Sequence, residues 1–300
     1  MLKSGMSSTN PIARVSWQSL VDLLPTYPPA ILSRQPAINF VTAMWVVNHF
    51  MGGEWIDRHV NPFKTRPGPL RLKIEGDVGL GAVSGQKLVD LGEALLNLQH
   101  IQGFDSCIRR LRNGDLEPTL AELAIAGMLY INDLPFRFVE STGVKRSDYD
   151  YEITFSDSLK VCADAKCKIE STALSENTIS NALKKAHGQL PEEQPGIVLI
   201  KFSPSWLEIP DHLDTFLRPT NEFFVSHTRV VSVAFYTTPV NFDGTSMMQA
   251  HRFMELGNAR NKFDTRRDWR LFNRWRPPKG ATNGLPPKWL RLINFPHGFH

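Results

Sequence analysis

Residues 149–167 read YDYEITFSDSLKVCADAKC, from Tyr149 to Cys167. The runs on either side of Ser156-Asp157-Ser158 have strand character, and the spacer between them reads as a three-residue hairpin turn. With Phe155 facing Leu159, the register pairs Ile153 with Val161, Tyr151 with Ala163, Asp150 with Asp164 and Asp148 with Lys166. One face then carries Tyr149, Tyr151, Ile153, Phe155, Val161, Ala163, Ala165 and Cys167, an apolar set fit for a core. The other carries Asp148, Asp150, Glu152, Asp164, Lys166 and Lys168. An even-length turn would move Asp164 to the apolar side, so the pattern itself selects the odd turn.

Two carboxylates directly opposite each other across a ladder, with Cβ atoms about 5 Å apart, repel unless a positive charge lies between them. A divalent cation fits this arrangement, and an oxygen-only ligand set without suitably spaced cysteine or histidine points to Mg²⁺ or Mn²⁺. Lys166, on the same face as Asp164, would orient a water or stabilise charge developing on a phosphate. The alternative is a solvated hairpin face on which Lys166 and Lys168 neutralise the acids. Glu122 adds a third acid. It is the only charged residue between Pro118 and Asn132, in the otherwise apolar helix TLAELAIAGMLYI, and a buried carboxylate needs a cation or a hydrogen-bond donor. Its place in the first helical turn also suits the helix dipole.

Outward from the hairpin, PFRFV (residues 135–139) reads as a preceding strand, and TISNALKKAHGQL (178–190) as a polar-faced helix. GIVLIKF (196–202) and RVVSVAFY (229–236) read as buried strands, with a loop between them. The order αβββαβ…β predicts a mixed α/β fold. The chain divides into a helical N-terminal domain (1–115) broken by proline loops, the mixed-sheet core (116–240) and a basic, aromatic C-terminal extension (241–300). In the first zone the clearest helix starts after Ser84 and runs through KLVDLGEALLNLQ, while GLGAVSG (79–85) reads as a flexible loop. In the third, TSMMQAHRFMELG (245–257) reads as a helix. The sequence has no GxxxxGK[ST] phosphate loop and no GxSxG nucleophile turn.

A glutamate in the leading helix, Asp150 on the second strand, Asp164-Ala165-Lys166 on the third and a basic helix behind them resemble the PD-(D/E)xK nuclease superfamily, the restriction-endonuclease-like fold. The resemblance covers about residues 117–205. It implies that Asp150 and Asp164 are metal ligands, Lys166 the catalytic lysine and Glu122 an accessory acid that binds metal directly or through water. Gln189, and with it Lys184 or Lys185, matches the place where members present polar residues from the second helix. Tyr149 stands where the proline of the name is found, and Asp148 competes with Asp150 for its role. The implied activity is metal-dependent hydrolysis of phosphodiester bonds, in DNA by family habit. The alternative is a catalytically inactive nucleic-acid-binding or subunit-interaction protein on the same fold. Many double-strand cutters use two active sites, so a homodimer is compatible with the resemblance.

Composition agrees with a folded protein: 300 residues, 42% hydrophobic and 21% charged. The net charge of +4 hides an asymmetry. Residues 251–300 hold eleven Lys/Arg against Glu255, Asp264 and Asp268, a local +8, which leaves −4 for the remainder. The segment 258–284 interleaves Arg260, Arg266, Arg267, Arg270, Arg274 and Arg276 with Phe263, Trp269, Phe272 and Trp275. Such a pattern suits nucleic acid, arginines on phosphates and rings on bases, with Lys168, Lys184 and Lys185 adding positive charge. It suits equally a C-terminal segment docked on the acidic remainder. No apolar run reaches membrane-spanning length and no signal peptide is evident, so a cytoplasmic location is expected. Cys107, Cys162 and Cys167, odd in number and without CxxC spacing, suggest neither a disulfide framework nor a zinc knuckle.

Overall fold

The structure is a computed structural model that describes residues 12–63, 68–72, 78–144, 146–155, 158–168, 171–242, 247–272, 289–292 and 295. The N-terminal part is helical: α1 (Trp17–Val21), α2 (Pro29–Leu32), α3 (Gln35–Met51), α4 (Gly53–His59), α5 (Val78–Leu98) and α6 (Phe104–Arg112). Then follow α7 (Leu116–Ile131), β1 (Phe136–Phe138), β2 (Tyr151–Thr154), β3 (Lys160–Cys167), α8 (Glu176–Gln189) and β4 (Gly196–Lys201). The chain continues through α9 (His212–Ser226), β5 (Val230–Thr237), the hairpin β6 (Val240–Phe242) and β7 (Met247–Gln249), and β8 (Arg252–Gly257). Among the described residues six of these strands form a mixed sheet in the order β1-β2-β3-β4-β5-β8, with β3, β4 and β5 parallel and the outer neighbours antiparallel, while β6 and β7 pair apart from it.

The hairpin register is the expected one: Tyr151 pairs with Ala163, Ile153 with Val161 and Thr154 with Lys160. Phe155 closes the turn by donating its amide to Leu159 O at 2.9 Å. The expected sidedness is corrected in two respects. The face carrying Cys162 and Asp164 is not solvated, because α8 and α9 cover it. There Cys162, Val198, Ile200, Val233 and Phe235 pack against Ile179, Leu183, Phe216 and Phe223. Tyr149 does not join Tyr151, because the chain leaves the ladder before it, and its ring packs on the α8 side. A sheet buried on both faces follows from its parallel centre, whose connecting helices cover it.

The opposite face, with Tyr151, Ile153, Val161, Ala163, Leu199 and Tyr236, shares one core with α3, α5, α6 and α7. α5 begins at Val78, so the 79–85 segment read as a loop is helical. Its glycines fit a tight layer: a Cβ on Gly92 would stand 3.0 Å from the Ala43 backbone of α3. Gly103 enters α6 at φ +84, and a Cβ there would overlap the Phe138 carbonyl of β1, so only glycine lets α6 lie against the sheet edge.

Two further expectations change. The loop expected between β4 and β5 contains α9, whose Phe216, Thr220, Phe223 and Phe224 recur at helical spacing and are buried. Pro219 obscures this helix in the sequence; in the structure the Thr220 hydroxyl donates to Phe216 O at 2.7 Å within the same turn. Of the segment expected as a helix over 245–257, the described part from Met247 on is instead β7 and β8, because β5 offers an open edge that β8 completes from Ser232↔Gly257 to Thr237↔Arg252. Tertiary pairing overrides a weak local preference there. Among the described residues no helix is long and apolar enough to cross a membrane.

Candidate functional site

The site forms where β2 and β3 part. Beyond the Tyr151–Ala163 pair, the Asp150 amide still donates to Ala163 O (3.0 Å), and Asp150 O accepts from Val139 N (3.0 Å). The Asp150 Oδ2 accepts the Ala165 amide at 2.6 Å. The carboxylate thus takes the place of the main-chain acceptor that the departing strand no longer supplies to β3. Asp164, in the middle of β3, is fully buried. Lys166 Nζ stands 2.5 Å from Asp164 Oδ2, yet neither Asp164 oxygen receives a hydrogen bond of acceptable geometry. The ammonium donates instead to Gln189 Oε1 and, at 3.4 Å, to Ala165 O. Gln189, at the end of α8, donates its amide to Asp148 O at 3.1 Å. Lys166, Gln189 and the strand carrying Asp150 are therefore linked in one chain of contacts.

Glu122 reaches the same region from α7, which two phenols fix to the sheet: Tyr151 donates to Glu122 O (2.7 Å) and Tyr236 to Ala121 O (2.8 Å). Glu122 is 3% exposed. Its required partner is Arg110 of α6, whose Nη1 donates to Oε1 at 2.6 Å while Nη2 donates to Oε2. Sequence reasoning missed Arg110. The signal was the segment FDSCIRRLR, whose apolar stripe Cys107, Ile108 and Leu111 sets which of its arginines turns inward.

Electrostatics join the three acids. Burial, then the Asp164 charge, pushes the Asp150 carboxyl up to about 7, against the pull of Lys166. Burial raises Asp164 to about 7, again opposed by Lys166, with Glu122 adding repulsion. Burial, then Asp150, raises Glu122 to about 7 despite Arg110. Each acid is perturbed by another of the three, a condition that clusters at functional sites. Among the described residues no three His, Cys, Asp or Glu side chains are arranged as a ready ligand set. Asp150 and Asp164 are brought together, whereas both Glu122 oxygens are taken by Arg110. Asp148 turns away: its Oδ1 accepts from Thr142 N (2.6 Å), Thr142 Oγ1 (2.9 Å) and Gly143 N (3.1 Å), and those bonds lower its pKa.

Glu152 lies opposite Cys162 and is bound by Arg137 and Lys160, which hold its carboxyl down at about 2. The expected basic residues divide into two groups. Lys184 and Lys185 are exposed on α8, and Lys168, half-buried at the end of β3, has its pKa lowered by burial and then by Lys185. Lys166, Lys168 and Lys185 are close enough for their charges to interact, a positive strip to which Lys184 is next in sequence. The described part of the C-terminal segment is docked on the body. Trp269 is buried and donates to Asp264 O at 2.8 Å, and Glu255 accepts the amides of Leu271 (2.8 Å) and Phe272 (2.7 Å). Farther on, Glu93 and Asn97 of α5 clasp the backbone of Leu292 and Leu290. Of the two readings of the aromatics, docking holds for Trp269 and Phe272, because their rings complete the apolar core. Arg270 is held by Asp268, Arg267 lies over the Trp269 ring and Arg266 is exposed. Arg274 and Arg276 fall outside the described residues. The chain matches no family model and no curated protein.

Proposed function

We propose that the protein is a metal-dependent nuclease with a restriction-endonuclease-like core, hydrolysing phosphodiester bonds, with DNA as the favoured substrate. The observation that carries this reading is Asp164: a fully buried carboxylate held by the Lys166 ammonium 2.5 Å from Oδ2 and close enough to Asp150 to raise its pKa, so that one ammonium serves two buried acids. Such a group demands positive charge. The residues fit Mg²⁺ or Mn²⁺ in the manner of Mg²⁺ sites generally, which use one or two carboxylates and retain several waters. Asp150 and Asp164 would hold the ion, and Glu122 could join only after releasing Arg110. A bound ion would supply a water of lowered pKa and polarise the phosphoryl oxygen.

The chain's own residues account for the rest. The Ala165 amide orients Asp150, and Gln189 orients the Lys166 ammonium, which can stabilise negative charge on the phosphate. The strip of Lys168, Lys184 and Lys185 suits a polyanion. The test is cleavage of plasmid and single-stranded DNA with Mn²⁺ or Mg²⁺ by the wild type, Asp164→Ala and Lys166→Ala. Loss of cutting in both variants is expected. Cutting that survives both changes overturns the reading, and salt-dependent DNA binding without cutting in any protein assigns a binding module instead.

A further inference from the structure

A second charged feature lies on the other side of the last turn of α8. A crevice of about 190 Å³ is lined by His187, Glu192, Glu193, His227, Arg229 and Lys262, among others. Arg229, immediately before β5, is 8% exposed, and its charge is poorly compensated. Its Nη2 donates to the His187 carbonyl, its Nη1 stands 3.8 Å from Glu192 Oε1, beyond hydrogen-bond reach, and its Nε has no partner. Burying a guanidinium with so few acceptors is costly. His187 does not share the charge, because burial and then Arg229 hold it down at about 4, neutral at physiological pH. Lys262 adds a second cation, 3.9 Å from the almost fully exposed Glu193. Arg146 adds a third through its ion pair with Glu192.

Three cations thus face two acids, of which Glu192 is half-exposed and Glu193 more so. Glu192 pairs with Arg146 and approaches Arg229, so its carboxylate already occupies the position of a shared anion. Because it is exposed, it can withdraw into water at little cost. We infer that this crevice is a phosphate-binding site, with Arg229 on its floor, Lys262 on its wall and Arg146 reaching it through Glu192. Glu192 is the internal carboxylate that a phosphate displaces. Arg229 Nη1, the guanidinium nitrogen that is neither sealed from solvent nor held by the His187 carbonyl, and the flanking cations suit a phosphate oxygen. The crevice also adjoins the carboxylate cluster. His187 lies two residues before Gln189, which holds Lys166, and Arg146 two residues before Asp148, which holds Gln189.

The inference goes beyond the nuclease reading and is tested without it, on metal-free protein. Inorganic phosphate is titrated by calorimetry, with thermal shift in parallel, at ionic strength held constant with chloride. Saturable binding is expected. Arg229→Lys, which keeps the charge but cannot hold the His187 carbonyl and a phosphate oxygen from one planar group, weakens it about tenfold or more. Glu192→Gln, a surface change, tightens it, and Asp164→Ala leaves it unchanged. Phosphate that stabilises no more than chloride, or binds Arg229→Lys and wild type equally, overturns the site. Asp164→Ala abolishing phosphate binding would instead place the phosphate at the carboxylate cluster and also overturns it. Competition by 5′-phosphorylated but not 5′-hydroxyl oligonucleotides identifies a nucleic-acid end as the source. Competition by neither identifies a small free phosphate, and both outcomes support the same chemistry.

Discussion

Replacing Asp164 by asparagine should stabilise the metal-free protein at alkaline pH while removing the proposed activity. Asparagine has nearly the shape of the protonated acid, so the comparison isolates the cost of the charge. The folded carboxyl titrates at about 7 against an ordinary value of 3.8. Between those two values the folded state keeps a proton that the unfolded chain has released, so wild-type stability falls as pH rises through that window and levels off above it. At about 1.4 kcal/mol per pH unit, the full cost is about 4 kcal/mol at pH 8 and under about 2 kcal/mol at pH 5. Removing the Asp164 charge also relieves Asp150, which it raises. Urea unfolding in EDTA at both pH values should show Asp164→Asn more stable than wild type, by a margin that widens with pH. Adding Mn²⁺ should then stabilise the wild type, by about 2.7 kcal/mol at a hundredfold excess over its Kd, and leave the variant unmoved. A margin that does not grow with pH, or a variant less stable at pH 8, refutes the account of Asp164 as a buried charge that Lys166 compensates only in part.

Arg110→Ala strands Glu122 in the core, and urea unfolding at pH 8 should show a loss of about 3–5 kcal/mol, most of it recovered on adding Glu122→Gln. Loss without recovery would mean that Arg110 acts through packing rather than charge. Trp269→Ala should cost about 3–5 kcal/mol by the same measurement. Nucleic-acid affinity of the folded variant, and its slope against salt, should stay at the wild-type value, since the indole is inside the body. A selective loss of affinity would restore the ring to the binding surface.

The hairpin was legible because period-two alternation and an odd turn admit one register that keeps Tyr151, Ile153, Val161 and Ala163 together. That register places Asp150 beside Asp164 before any tertiary contact is known. The same alternation could not reveal that the acidic face is buried, since covering it depends on α8 and α9, and α9 is masked by Pro219. Nor could it foresee the flip at Tyr149, where the Asp150 side chain takes over a main-chain role. Met247 to Gly257 reads as part of a helix, and the open edge of β5 makes it strands instead.

The need of Glu122 for a partner is evident from one charge in an apolar helix; that the partner is Arg110 is not, because the approach of α6 to α7 is set by tertiary packing. Charge asymmetry marks the C-terminal segment as basic, but the same arginine and aromatic residues serve docking or binding. Burial of Trp269 and Phe272 against the core resolves that choice for the described part. By itself, then, the sequence determined what is local: the β2–β3 hairpin register, the apolar face of the helix after Ser84, and Asp164 and Lys166 two residues apart on one strand. Tertiary structure alone decided which charges are buried and what compensates them, because desolvation depends on elements distant in the chain. Arg110 beneath Glu122 and Arg229 on the floor of its crevice both arise in that way.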